Sequence, residues 1–343
     1  MTSLSSHVMS TLPLPTSLPP SPPSTIAPPP SSPRVLPSLT LLEQFCLGAT
    51  ATSCAVLFTN PLETSKTKMQ LQGELEIGHK RVYRNAIHAV YRIGLDEGVR
   101  GLQRGLFAAV HYQIAVNGTR FALYDIITNS IAKTLPNGYN KDGNPHGYVT
   151  TLSGAIVGAI AAFVSAPIYL VKVRLQSAST KVSVGLTQHS YSGFYQGLYH
   201  AARQDGVMAL WKGVSAQIAR VTIISAAQLS VYSSAKAYIT NKNHLGFQDG
   251  IVSDFMASLL SGAVAAIAVN PVDLISTRIC NNNGVEIYKN LRDCFSKTVQ
   301  AEGIRGLYKG VGATYLRLAP HTTLIFVFLG AFRRAYEDYR HPQ

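Results

Sequence analysis

The run Pro61-Leu62-Glu63-Thr64-Ser65-Lys66-Thr67-Lys68-Met69-Gln70 returns as Pro167-Ile168-Tyr169-Leu170-Val171-Lys172-Val173-Arg174-Leu175-Gln176, and again as Pro271-Val272-Asp273-Leu274-Ile275-Ser276-Thr277-Arg278. The three prolines stand 106 and 104 residues apart. A second element follows each copy: Glu97-Gly98 running to Gly105, Asp205-Gly206 running to Trp211-Lys212-Gly213, and Glu302-Gly303 running to Tyr308-Lys309-Gly310. One proline followed by charges says little. Two unrelated motifs in the same order three times over require a fold assembled from three copies of one unit of about 100 residues.

Six apolar segments lie between these landmarks, at roughly 40–70, 105–132, 148–176, 213–240, 250–279 and 310–336, each long enough to cross a bilayer. The expectation is an all-α membrane protein with six transmembrane helices, two per repeat: residues 39–136, 147–241 and 250–338. Only 14% of residues are charged and 46% are hydrophobic, which favours a membrane setting over a soluble domain. A mean hydropathy of +0.13 is nevertheless too low for helices bathed in lipid all round, so polar faces must be hidden against one another or against water. Gly154 and Gly158 offer close-packing positions. Each odd-numbered span meets its proline near its C-terminal end, where a missing backbone donor bends the helix and lets three helices converge.

The long connections hold most of the loop charge, with Lys80, Arg81, Arg84, Arg92 and Arg100 in the first. The positive-inside tendency puts these loops on one side and both termini on the other. The stretch Tyr83 to Arg92 reads as a short amphipathic helix in the interface. Residues 1–38, rich in Pro and Ser with Arg34 as the only charge, are expected to lack fixed structure and do not match an Arg-rich amphipathic presequence.

A formal charge of +13 admits nucleic acid, an anionic surface or an anionic substrate as partner. The basic residues are scattered through apolar segments and no run of five occurs, which excludes a nucleic-acid patch. Cys46, Cys54, Cys280 and Cys294 form no C-x-x-C pair, so neither a disulfide framework nor a metal site is indicated. Phosphate-loop and nucleophile motifs are missing, so the chain does not read as an enzyme and no cofactor is expected.

Counting from the glycine that opens each even span aligns equivalent depths. Seven residues past Gly105, Gly213 and Gly310 come Tyr112, Arg220 and Arg317; one further come Gln113, Val221 and Leu318; eight past the first layer stand Arg120, Gln228 and Ile325. His321 lies one turn beyond Arg317. Arginine inside a span is costly unless it meets water or an anion, and two at one level suit a doubly charged ligand gripped through paired hydrogen bonds. Tyr112, Gln113, Arg120, Arg220, Arg317 and His321 are therefore the expected substrate-binding residues.

A P-x-[D/E]-x-x-[K/R]-x-[K/R] motif closing each odd helix, three times over residues 40 to 338, resembles the mitochondrial carrier family. The resemblance implies a threefold pseudosymmetric barrel of six tilted helices with three short matrix-side helices, working by alternating access. The implied setting is the inner mitochondrial membrane, with the termini towards the intermembrane space, a lipid partner such as cardiolipin, and a monomer. It implies that the acid of each odd-helix motif pairs with the base of the next to close the matrix side: Glu63 with Lys172, Asp273 with Lys66, and a third position, Tyr169 with Ser276, where both charges are lost together. It implies a weaker cytosolic gate on the even helices, where Asp125 and Lys236 are the one possible ion pair. The runs Tyr112-Gln113-Ile114, Asn117-Gly118-Thr119-Arg120 and Arg317-Leu318-Ala319-Pro320-His321-Thr322 are similar to the fungal oxaloacetate/sulfate carrier subgroup. That similarity implies oxaloacetate, another dicarboxylate or oxoacid, or sulfate, moved by exchange or proton symport. An uncoupling-type proton leak on the same fold is the rival reading.

Overall fold

A computed structural model describes residues 40–75, 82–136, 138–140, 143, 145–179, 186, 189, 191–240, 251–282 and 287–340. The Pro/Ser-rich tail and Lys80 and Arg81 of the first connection lie outside these residues. Six long helices carry the fold: α1 (Leu41–Leu71), α3 (Leu106–Thr134), α4 (Gly147–Ser177), α6 (Val214–Thr240), α7 (Ile251–Asn281) and α9 (Val311–Arg340). Their 27 to 31 residues correspond to about 40–46 Å at 1.5 Å per residue, longer than a bilayer core of about 30 Å. Three short helices lie in the connections: α2 (Ala86–Leu102), α5 (Phe194–Gln204) and α8 (Leu291–Glu302).

Each long helix packs on the next in chain order, and α9 returns to α1, so the six close into a ring. The odd helices α1, α4 and α7 also touch one another. Small residues allow the close approaches: Phe45 of α1 lies over Gly118 of α3 while Phe121 of α3 lies over Gly48 of α1, and Gly158 of α4 receives Val221 of α6. Gly154, expected to share this role, faces open space. Among the described residues five stretches are long and apolar enough to span, lying in α1, α4 and α7 and running from the turns before α6 and α9 into those helices. The shortfall is α3, which carries His111, Gln113, Asn117, Arg120 and Asp125. Its spanning length is as expected but its polarity is higher, as a helix turned inward requires.

Pro61, Pro167 and Pro271 sit inside continuous helices. Each lacks the N–H that would bond the carbonyl four residues back. Side chains from the second motif supply the missing donor in two repeats. Gln103 Nε2 donates to the Leu57 carbonyl at 3.2 Å, and Trp211 Nε1 donates to the Phe163 carbonyl at 3.1 Å. The Gln103 and Trp211 positions thus finish the kinked helices that precede them.

The glycines of that motif have a backbone cause. Gly98, Gly206 and Gly303 follow its acid at φ +67°, +87° and +71°, a region costly for residues with a Cβ. Gly98 kinks the chain within α2, and Gly206 and Gly303 turn it out of α5 and α8. Gly105, Gly213 and Gly310 at φ +74°, +82° and +81° then start α3, α6 and α9.

The short helices bury one face and expose another. In α2, Ala86, Ala89 and Ile93 are buried while Ile87, Tyr91, Leu95 and Val99 are exposed, the apolar outer stripe of a helix lying in the membrane interface. Asn85 and Asn290 cap α2 and α8 by accepting from His88 and Asp293, satisfying otherwise orphaned donors.

Trp211→Phe keeps the ring but uncaps the Phe163 carbonyl. A loss of about 1 kcal/mol, roughly 2 °C in melting temperature, is expected in thermal unfolding of the detergent-solubilised protein. An unchanged melting temperature would contradict the capping role.

Candidate functional site

The C-terminal halves of α1, α4 and α7 bring the motif charges together. Lys172 Nζ lies 2.7 Å from Glu63 Oε1, and Lys66 pairs with Asp273. All four are buried. Gln70 Nε2 donates to Asp273 Oδ2 at 2.9 Å, and the Thr277 hydroxyl donates to Gln70 Oε1 at 2.9 Å. At the third position Tyr169 and Ser276 are buried without charge. An isolated buried acid or base would cost several kcal/mol, so the loss of both partners leaves no uncompensated ion.

The even helices add the two arginines found by counting. Arg220 of α6 reaches Asp273 Oδ1 at 3.4 Å and donates to the Tyr112 hydroxyl at 2.8 Å. Arg317 of α9 reaches Glu63 Oε1 at 3.1 Å. Each carboxylate is thus shared between a lysine of a neighbouring repeat and an arginine of an even helix. Sequence counting placed the arginines at one depth but did not reveal that the motif acids stand within reach of them. Tyr112 and Tyr169, 5.4 Å apart between ring centres, present faces to cations: Lys172 Nζ lies 4.4 Å from the Tyr112 ring, and the Arg220 guanidinium 5.3 Å from that of Tyr169. Where repeat two has lost its acid, an aromatic face meets the charge instead.

Both guanidinium groups keep their Nε–H buried and unbonded. Buried donors without partners are rare and call for an explanation. The layer holds Lys66, Lys172, Arg220 and Arg317 against Glu63 and Asp273, a surplus of two positive charges.

One turn beyond Arg317, His321 is buried and bonded on both ring nitrogens, Nδ1 to Thr59 Oγ1 at 3.0 Å and Nε2 to Gln113 Nε2 at 2.7 Å. The Thr59 hydroxyl itself donates to the Ala55 carbonyl, so His321 Nδ1–H donates to Thr59 and Nε2 accepts from the amide. This is a neutral imidazole in one tautomer. Asn117 completes the chain by donating to Gln113 Oε1 at 2.9 Å. Arg120 is exposed, two turns above this layer on α3. Asp125 is also exposed, while the Lys236 side chain lies outside the described residues, so the expected cytosolic pair is not described.

A second tier of charge lies beneath the first, where α2, α5 and α8 join the odd helices. Lys68 bonds Glu97 at 2.6 Å, Arg174 bonds Asp205 at 2.8 Å, and Arg278 bonds Glu302 at 2.7 Å. Burial alone would raise the Glu97 carboxyl, but hydrogen bonds from Lys68 and Ser179 outweigh it and hold it below the usual carboxylate range. Glu302, also buried, is likewise held low by Arg278 and Lys309. These pairs join the two repeated motifs to each other. The signal was in the sequence, since the second base of each odd-helix motif recurs with the acid of each following motif.

Six long helices closed into a ring, with five stretches apolar enough to span among the described residues, define a polytopic membrane protein. The pattern describing the mitochondrial carrier proteins matches residues 37–135, 144–243 and 247–340. The chain belongs to the mitochondrial carrier family, whose members are transporters rather than enzymes, and it is a multi-pass protein of the inner mitochondrial membrane. It is 40% identical over 289 residues to the mitochondrial oxaloacetate transport protein of Saccharomyces cerevisiae, covering 83% of this chain and 87% of that one. It is 37% identical over 282 residues to the mitochondrial citrate transporter E of Aspergillus niger (82% and 89% covered). It is 34% identical over 299 residues to the mitochondrial 2-oxoglutarate/malate carrier protein of Bos taurus (86% and 91% covered).

Reversing one ion pair tests its contribution. Glu63→Lys or Lys172→Glu alone should abolish uptake into proteoliposomes, because breaking one side of a buried pair costs about 3–5 kcal/mol. The double exchange should recover part of the rate, short of the original because Arg317 then faces a like charge. A double exchange no faster than either single change would contradict the pairing.

Proposed function

We propose that this carrier moves a small dicarboxylate or oxoacid, with oxaloacetate as the first candidate and sulfate as an alternative cargo of similar charge, by alternating access in exchange or with a proton. The observation that carries this reading is the buried layer in which Lys66, Lys172, Arg220 and Arg317 face only two carboxylates, Glu63 and Asp273, leaving two surplus positive charges. A dianion neutralises that surplus and supplies acceptors for both arginines. Relatives named for oxaloacetate, citrate and 2-oxoglutarate/malate transport all point to carboxylates.

The substrate-binding set is Tyr112, Gln113, Arg120, Arg220, Arg317 and His321. Arg220 and Arg317 take the two acidic ends, Tyr112 orients Arg220, and the neutral His321 with Gln113 supplies hydrogen bonds for the rest of the molecule. Arg120, exposed above the layer, draws the anion in. The matrix gate is Glu63–Lys172 and Lys66–Asp273. Because each acid also holds an arginine, a bound dianion competes with it, and occupying the arginines removes one of the two cations that anchor each acid. Binding energy is thereby directed against the closed gate, which must break in every cycle.

The cytosolic gate has Asp125 and Lys236 as its one ion pair and is held mostly by packing. The termini face the intermembrane space, and the basic connections face the matrix. The protein works as a monomer with lipid at its rim. A cavity of about 270 Å³ lined by Arg84, Arg305 and Lys309 lies between the starts of α2 and α9. Another of about 630 Å³, lined by Arg104, His189 and Ser192, lies between the starts of α3 and α5. Both suit the phosphates of an anionic lipid such as cardiolipin.

Uptake by liposomes loaded with dicarboxylates, tricarboxylates, sulfate and nucleotides should be fastest for a small dianion. Arg220→Ala and Arg317→Ala should each lower it by roughly 100-fold, the loss of a charged bidentate contact. Near-normal uptake in both variants, or a preference for nucleotides, would overturn the assignment.

A further inference from the structure

The two gate ion pairs connect the first repeat to each of the others: Glu63 of α1 to Lys172 of α4, and Lys66 of α1 to Asp273 of α7. The junction between the second and third repeats has Tyr169 and Ser276 at the equivalent level, and the charge contact that crosses it there is the longer Arg220–Asp273 pair at 3.4 Å. Backbone ties do cross that junction, such as Arg174 Nε to the Cys280 carbonyl at 3.2 Å. Arg278 makes the same kind of tie to the Gln70 backbone carbonyl at another junction, so the Arg174 tie does not replace the missing pair.

Ser177 and His189 also cross that junction to reach Asn281, and a buried carboxylate outside the gate reaches both sides of it from the first repeat. Glu74, in the turn after α1, is buried at 4% exposure. Its Oε2 accepts from the Leu186 N–H at 3.2 Å, in the connection after α4, and its Oε1 accepts from the Tyr288 hydroxyl at 2.9 Å, in the connection after α7. The positions equivalent to Glu74, thirteen residues past each proline, are Thr180 and Gly284, neither of which carries charge. Burial pushes the Glu74 carboxyl above the usual carboxylate range, although Arg278 and both hydrogen bonds pull it down. The charged groups facing it are Arg278 and Glu302. The group is therefore expensive to bury, present once, and takes no part in binding or in the ion pairs of the gate.

We propose that Glu74 is a third latch of the matrix-side closure: a carboxylate of the first repeat that ties the connections of the second and third repeats across the junction where the odd helices have no lysine–carboxylate pair. This rests on the alternating-access reading. Opening towards the matrix separates the three connections and breaks both bonds, so Glu74 stabilises the closed state without touching the substrate. It is a positioning residue.

Cys280 reports on the closure. It is fully buried among Tyr112, Tyr169 and Val173, at the ends of the odd helices, and becomes reactive only when they part. In the detergent-purified full-length chain carrying Cys46→Ser, Cys54→Ser and Cys294→Ala, maleimide labelling of Cys280 is followed with and without added malonate as the probe dianion. Tyr288→Phe and Glu74→Gln are expected to raise labelling in the absence of malonate by about tenfold, as follows when a hydrogen bond to a charged group is made in the closed state alone. Tyr288→Phe keeps the ring and tests the latch even where Glu74→Ala fails to fold. The two changes combined should do no more than Glu74→Gln alone. Unchanged labelling in Tyr288→Phe and Glu74→Gln, while malonate still alters the labelling of the parent chain, would overturn the latch and leave alternating access standing. A parent chain whose labelling ignores every dicarboxylate tested would instead remove the reading beneath it.

Discussion

The structure depends on two carboxylates that are each held by two cations. Glu63 and Asp273 are buried where an unpaired charge is too costly to keep, and each binds one lysine from a neighbouring repeat and one arginine from an even helix. The lysine contacts draw α1, α4 and α7 together at one end. The arginine contacts tie the proposed binding layer to that closure. On the proposed function, a ligand that takes the arginine must compete with the carboxylate for it, which links occupancy of the layer to the strength of the closure.

The repeated architecture makes this arrangement economical to build. One unit supplies a kinked helix, a base for the neighbouring acid, a second base for the acid of the following short helix, and two left-handed glycines that turn the chain. Gln103 and Trp211 show how local the solutions are, since each returns a donor to the carbonyl that its own repeat's proline has orphaned. Departures from threefold repetition carry the individuality of the protein. Tyr112 stands where the other repeats have arginine, Tyr169 and Ser276 where they have acid and base, and Glu74 where they have Thr180 and Gly284.

Much of this was legible in the sequence. The repeat spacing, the apolar lengths and the prolines led to six long helices, and the resemblance to mitochondrial carriers led to the pairing of Glu63 with Lys172 and Asp273 with Lys66. Counting from the helix-opening glycines placed Tyr112, Arg220 and Arg317 at one level. The contacts that remained hidden join residues far apart in the chain through a geometry no spacing encodes. Arg317 meets Glu63 across 254 positions, and Tyr288 meets Glu74 across 214. The polarity of α3 also misleads a purely apolar criterion, because a helix lining a wet interior is chosen for its inner face. Gly154 has the same spacing as Gly158 yet meets nothing, since close packing depends on the neighbour as well as on the small residue.

Competition for the arginines can be measured directly as binding. Titration of malonate into the purified Glu63→Gln variant, with heat or thermal shift as the readout, isolates affinity from the transport cycle. Releasing Arg317 from its carboxylate should tighten binding by about tenfold, the equivalent of about 1.4 kcal/mol, even though transport falls. Affinity equal to or weaker than that of the unaltered protein would contradict the account.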